Sequence, residues 1–194
     1  MYMIKKIKTL FCDVETTGLD PSRHAVIQLA GLIDIDGEVV EEFDFKLQPF
    51  PGQLLSQESL DINRVTKEEM KTFLQPMAAY IEITKLFNKY VSRFDKSDKF
   101  FLVGYNSTFD DSFLRAFFKN CGDEYYGSYI WWPTIDIAPF AVEFFKEERS
   151  KFPDFKLSTV CKAFGIEVDD TETHNALYDS KLTRKVYRKI ILGE

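Results

Sequence analysis

Cysteine is scarce in this chain: three among 194 residues, at Cys12, Cys121 and Cys161, with neither paired spacing nor a zinc pattern. That excludes a disulfide scaffold and a zinc finger, favours the reducing cytoplasm, and leaves each thiol as buried filler. Long apolar runs are missing too. Nothing approaches the ~20 consecutive apolar residues of a membrane helix, so no membrane partner is expected. The N-terminus leads directly into a strand pattern in place of a signal peptide, which again points to the cytoplasm. Repeats, low-complexity tracts and interdomain linkers are absent, so residues 1–194 are expected to form one domain. Positive charge is in deficit, with 25 Lys and Arg against 31 Asp and Glu, a net −6. Such a balance speaks against a polyanionic partner unless the acids surround bound cations, which invert the local sign.

Phenylalanine, by contrast, is abundant at 19 residues, most of them at regular helix or strand spacing that marks them as core. Strands are expected at Ile7–Val14, Val26–Ile35 and Val39–Leu47, the last two joined at Asp36-Gly37, a strong hairpin signal. Thr66-Lys67-Glu68-Glu69 is a capping box opening a short helix, and Pro76 opens a longer one. A fourth strand at Phe100–Val103 precedes a helix carrying Asp110, and Tyr129–Trp132, stopped by Pro133, is the candidate fifth strand. Helices then follow at about Asp136–Glu148, at Leu157–Phe164 with Gly165 as its stop, and at Asn175–Ile190. The basic residues of the last helix, Lys181, Arg184, Lys185, Arg188 and Lys189, read as a solvated face. The pattern is α/β, a mixed sheet covered by helices.

Four acids stand where an acid costs stability. Asp13 and Glu15 end the first apolar strand two residues apart, so their side chains leave the same face. A solvated strand end is the bland alternative. Asp110 completes the i, i+3, i+4, i+7, i+8 stripe of Phe113, Leu114, Phe117 and Phe118, whereas Asp111 falls off it as a solvated surface acid. Asp110 can equally be a helix N-terminal acid favoured by the macrodipole. Asp179 shares an inward helical face with Leu182, Val186 and Ile190, where it must be hydrogen-bonded, protonated or metal-bound. His174 precedes that helix and is placed on the loop above it, while His24 lies in a turn-like segment without comparable context.

Carboxylates are hard oxygen donors suited to Mg²⁺ or Mn²⁺, and the lack of clustered Cys or His argues against zinc. Two such ions about 3.5–4 Å apart activate water and stabilise a departing oxygen in phosphoryl transfer. A histidine can take the proton from that water. The residues alone therefore indicate metal-dependent phosphoester or phosphodiester hydrolysis without naming a substrate.

Three segments, Phe11-Cys12-Asp13-Val14-Glu15-Thr16-Thr17-Gly18-Leu19-Asp20-Pro21, Asn106-x-x-Phe109-Asp110-x-x-Phe113-Leu114 and His174-x-x-x-x-Asp179, resemble in order the exonuclease motifs of the DEDDh 3′→5′ exonuclease family. The chain resembles in particular the proofreading epsilon subunits of bacterial DNA polymerase III and their stand-alone relatives, and Leu157–Ile166 is similar to the family's segment before the third motif. The resemblance implies a ribonuclease H-like mixed five-stranded sheet and removal of nucleoside monophosphates from 3′ ends. It implies two Mg²⁺ or Mn²⁺ ions on Asp13, Glu15 and Asp179, with Asp110 helping through water and His174 as general base. It places Thr16, Gly18 and Leu19 around the terminal nucleotide, with Asn106 and Phe109 nearby. Tyr105, where many relatives carry His, and Asn63-Arg64-Val65-Thr66, in place of a common His-Gly-Ile-Thr-like segment, depart from the pattern near the nucleotide pocket.

Single-stranded or mismatched DNA 3′ ends are thus the expected substrate, in company with a replication or repair partner. RNA 3′-end trimming is the nearest alternative, since the same chemistry serves both sugars. A catalytically silent nucleic-acid-binding module is disfavoured by the complete set of four acids and His174.

Overall fold

A computed structural model describes residues 6–194, so the first five residues of the expected domain, and the expected N-terminal lead-in, lie outside the described residues. Its sheet has the order β3-β2-β1-β4-β5. The strands are β1 (Lys8–Thr16), β2 (Val26–Ile35), β3 (Glu38–Lys46), β4 (Phe101–Gly104) and β5 (Ile135–Asp136). The first three pair antiparallel, while β4 joins β1, and β5 joins β4, in parallel. Asp36 (φ 56°) and Gly37 (φ 91°) make the β2–β3 turn, where both central residues take the positive φ that matches the strand twist.

Alternation along β1 sorts its side chains onto two cores. Leu10, Cys12 and Val14 face the helices α3 (Pro76–Tyr90) and α4 (Ser107–Asn120), packing with Phe87, Phe113 and Phe118. Phe11 faces the opposite side, against Leu182 and Val186 of α7 (Ala176–Tyr187) and residues of α5 (Ile137–Phe144) and α6 (Leu157–Ala163). Tyr187 meets the Phe11 ring edge-on at 5.3 Å. Asp13 and Glu15 have the same parity as Phe11, so the strand delivers both carboxylates to the α7 side. The helices α1 (Gln57–Ile62) and α2 (Lys67–Met70) lie between β3 and α3, the second opened by the full Thr66–Glu69 capping box.

Three expectations change. The fifth strand is Ile135–Asp136, because Tyr129 and Ile130 are buried in the α3–α4 core and Pro133 offers no N–H to a ladder. The 129–132 segment keeps only a bridge between Ile130 and Phe100. The helix expected over Asp136–Glu148 stops at Phe144 and passes into a 3₁₀ turn at Lys146–Lys151. The basic run of α7 is not wholly solvated. Arg184, its side chain 19% exposed, reaches the Asp34 carboxylate at 2.8 Å, and Lys181 reaches Glu42 at 2.7 Å, clamping α7 to the β2–β3 hairpin.

Gly31 on β2 opposes Cys12, and a Cβ there would lie 2.1 Å from the Phe11 carbonyl oxygen, which belongs to backbone and cannot step aside. Gly31→Ala should therefore lower stability by about 1–3 kcal/mol or more in denaturant titration. Gly127→Ala, whose Cβ would meet only the tip of Arg115 at 3.7 Å, should stay within about 0.5 kcal/mol.

Candidate active site

The end of β1 is set by a tight turn. The Thr16 hydroxyl donates to the Gly18 carbonyl at 2.7 Å, and the Thr17 N–H donates to the Ala25 carbonyl at 2.9 Å. Gly18 lies under the His24 ring, where a Cβ would sit 2.1 Å from Cδ2, so only glycine fits. His24 thereby acquires the structural role that its sequence context did not disclose. At the same end, Asp110 stands in the first turn of α4, which follows β4 after two residues. It is 2% exposed and accepts the Val14 N–H at 3.0 Å. Asn106, left-handed at φ 69°, precedes the helix, its N–H donating to Asp136 at 2.9 Å.

Asp111 is not the surface acid expected. It is 4% exposed and paired with Arg115 at 2.7 Å, because α4 packs against the 3₁₀ turn at Tyr126–Ser128 as well as the sheet. The buried arc of the helix is wider than its apolar stripe.

Asn175 caps α7 by accepting from the Leu177 and Tyr178 N–H groups at 3.1 and 3.3 Å. His174 before it is exposed and left-handed at φ 64°, and its N–H donates to the Asp179 carboxylate at 3.2 Å. Asp179 begins the inward stripe that Leu182 and Val186 continue, and this carries it to the carboxylates of β1. Oxygens of Asp13, Glu15 and Asp179 all lie within 4.8 Å of one another. Among the described residues no lysine or arginine is ion-paired with these three or with Asp110.

The cluster is electrostatically strained. Burial raises the Asp13 carboxyl well above the usual range, and the charges of Asp110, Glu15 and Asp179 raise it further. Burial and then Asp179 push Glu15 up to about 7. Burial raises Asp110 against the pull of the Val14 N–H, and raises Asp179 against that of His174. An all-oxygen donor set with this much uncompensated charge fits a hard divalent cation.

A cleft of about 830 Å³ opens over the cluster. Asp13, Glu15, Asp110, Asp179, His174, Asn106 and Phe109 line it, so seven of the ten expected site residues come together. Thr16 and Gly18 are buried in the turn beside it, and Leu19 stands 81% exposed outside its lining. The lining also holds Tyr105, which the resemblance puts near the nucleotide pocket, and Phe155, Lys156, Ser158 and Asp170, to which the sequence pattern assigns no role. Tyr105, one of the departures noted above, donates its hydroxyl to the Phe155 carbonyl at 2.5 Å and pins that wall. Asn63, the other, donates to the Thr16 carbonyl at 2.9 Å.

The family model described as Exonuclease (RNase_T) matches residues 10–187. The chain therefore belongs to this exonuclease family, whose members are metal-dependent 3′→5′ exonucleases, and it carries the family's ribonuclease H-like fold. Ribonuclease T of Vibrio campbellii is 27% identical over 187 residues, with 92% of this chain and 83% of that protein covered. A PolC-type DNA polymerase III of Bacillus cereus is 30% identical over 182 residues, with 92% of this chain but 11% of that protein covered. E. coli exonuclease I in complex with a dT13 oligonucleotide shares the fold, with a TM-score of 0.76 at 24% identity over 96% of this chain and 42% of that one.

Glu15's raised pKa has a defined sign in stability. Between pH 4.5, its ordinary value, and about 7, the folded protein holds a proton that the unfolded chain has released. Metal-free stability should therefore fall as pH rises through that window, with the loss complete above it. Melting in chelator from pH 5 to 8 should show a falling Tm, a flatter profile for Glu15→Gln, and recovery at pH 8 with Mn²⁺. A wild-type Tm indifferent to both pH and Mn²⁺ would contradict the cluster's electrostatics.

Proposed function

We propose that residues 1–194 act as one exonuclease domain that hydrolyses the terminal phosphodiester bond of single-stranded or mismatched DNA 3′ ends, releasing nucleoside monophosphates. The observation that carries this reading is the approach of Asp13, Glu15 and Asp179 within 4.8 Å at the floor of an open cleft. These three would hold one Mg²⁺ or Mn²⁺, and Asp13, with Asp110 through water, would serve a second. When bound, the ions supply an activated water and stabilise the departing 3′ oxygen.

The remaining work falls to the chain itself. His174, tied through its own N–H to Asp179, takes the proton from the attacking water. The turn at Thr16, Gly18 and Leu19 receives the terminal nucleotide, with the exposed Leu19 side chain free to cover a base. Asn106 and Phe109 flank the nucleotide across the cleft. A paired terminal base must first unstack at a cost of a few kcal/mol, so frayed and mismatched ends react faster.

The PolC-type relatives support DNA and a replication setting, and cytoplasmic work beside a polymerase or repair partner agrees with them. The ribonuclease T relatives, which this chain matches over most of their length, favour a second reading in which the substrate is an RNA 3′ end.

Digestion of matched 5′-labelled DNA and RNA oligonucleotides with Mg²⁺ or Mn²⁺ decides between them. DNA should shorten one nucleotide at a time from the 3′ end, a blocked 3′ hydroxyl should slow it, and chelator should abolish it. RNA shortened faster than DNA would give the second reading. His174→Ala should lose about 10²–10⁴ in rate while still binding the oligonucleotide. Cleavage of circular single strands would overturn exonuclease action.

A further inference from the structure

The loop that carries His174 has few anchors. Thr171, Glu172 and His174 are exposed, and several of its hydrogen bonds are internal, with Asp169 accepting from the N–H and the hydroxyl of Thr171 at 2.9 and 2.6 Å. Tyr178 on α7 accepts the Asp169 N–H at 2.7 Å, and Lys162 on α6 reaches Asp170 at 3.0 Å. Those partners belong to the helices on either side of the loop in sequence.

Among the described residues, one hydrogen bond to this loop comes from elsewhere. The Arg64 guanidinium, in the turn between α1 and α2, donates to the Thr171 carbonyl across 107 positions of sequence. Arg64 does so from φ 54°, a left-handed conformation that glycine adopts without the steric cost an arginine incurs. Its neighbour Asn63 is fastened to the Thr16 carbonyl, the last residue of the strand that bears Asp13 and Glu15. A continuous path thus runs from the metal-binding strand through Asn63 and Arg64 to the loop before α7.

We infer that Arg64 is a positioning residue for the reaction: by holding the Thr171 carbonyl it fixes the 169–174 loop, and with it His174, above the acidic cluster. This rests on the reading of His174 as general base. Arg64 is not among the residues that line the cleft over the acids, so its effect is exerted through the loop. Among the described residues, removing it leaves the loop hydrogen-bonded from the α6–α7 side alone, and the imidazole then spends less time at the attacking water.

Arg64→Gly separates this from a structural role, because it relieves the backbone while deleting the contact. The variant should melt at or above the wild-type temperature, exchange amide hydrogens faster at residues 169–174, and lose about tenfold or more in kcat with little change in KM on the oligonucleotide that wild type degrades. Arg64→Lys, which keeps a donor, should recover part of the rate. Combined with His174→Ala, Arg64→Gly should cost nothing further, since both act on one proton transfer. Wild-type kcat in Arg64→Gly, or a loss that comes with a lowered melting temperature, overturns the inference while the activity of wild type and the loss in His174→Ala keep the proposed reaction standing. Full turnover in His174→Ala overturns both.

Discussion

Asp13, Glu15 and Asp179 bring their oxygens within 4.8 Å of one another, and no lysine or arginine among the described residues is ion-paired with them. Like charges so close, and so shielded from water, repel strongly, and the surrounding fold must overcome that repulsion. Burial first, and the neighbouring carboxylates after it, raise the carboxyl groups of Asp13, Glu15 and Asp110. A divalent cation turns the same repulsion into attraction. The arrangement is therefore costly empty and favourable filled, which is how a binding site differs from a structural ion-pair network.

The rest of the molecule holds that cluster in place. β1 occupies the middle of the sheet, with partners on both edges and a core on each face, so its end is the most constrained position available for two ligands. α7 brings the third. It is pressed onto β1 through Phe11, Leu182, Val186 and Tyr187, and it is clamped at its far end by Arg184 on Asp34. Breaking that distant pair would leave a charge buried and unpaired, and it would also loosen the helix that positions Asp179.

The legible features were those with a period. Alternation placed Asp13 and Glu15 on one face, and the 3.6-residue repeat placed Asp110 and Asp179 inward. What the sequence concealed depended on a third element. Asp111 is buried by a 3₁₀ turn that packs beside α4, and a single-helix stripe carries no trace of that turn. Tyr129–Trp132 looked like a strand because buried aromatics and Ile130 suit one, but the core took Tyr129 and left the ladder to Ile135–Asp136. His24 was unreadable for a similar reason: its meaning lies in the glycine beneath its ring. Tyr105 and Asn63, which broke the family pattern, proved to be wall and turn fasteners that bond to main-chain carbonyls.

Calorimetric titration of the protein with Mn²⁺, without nucleic acid, tests the central claim most directly. Wild type should bind the ion near neutral pH with release of protons, because Glu15, pushed up to about 7, retains a proton that the cation displaces. Asp13→Asn and Asp179→Asn should lose that binding while remaining folded. Equal Mn²⁺ binding by wild type and both variants would contradict the account.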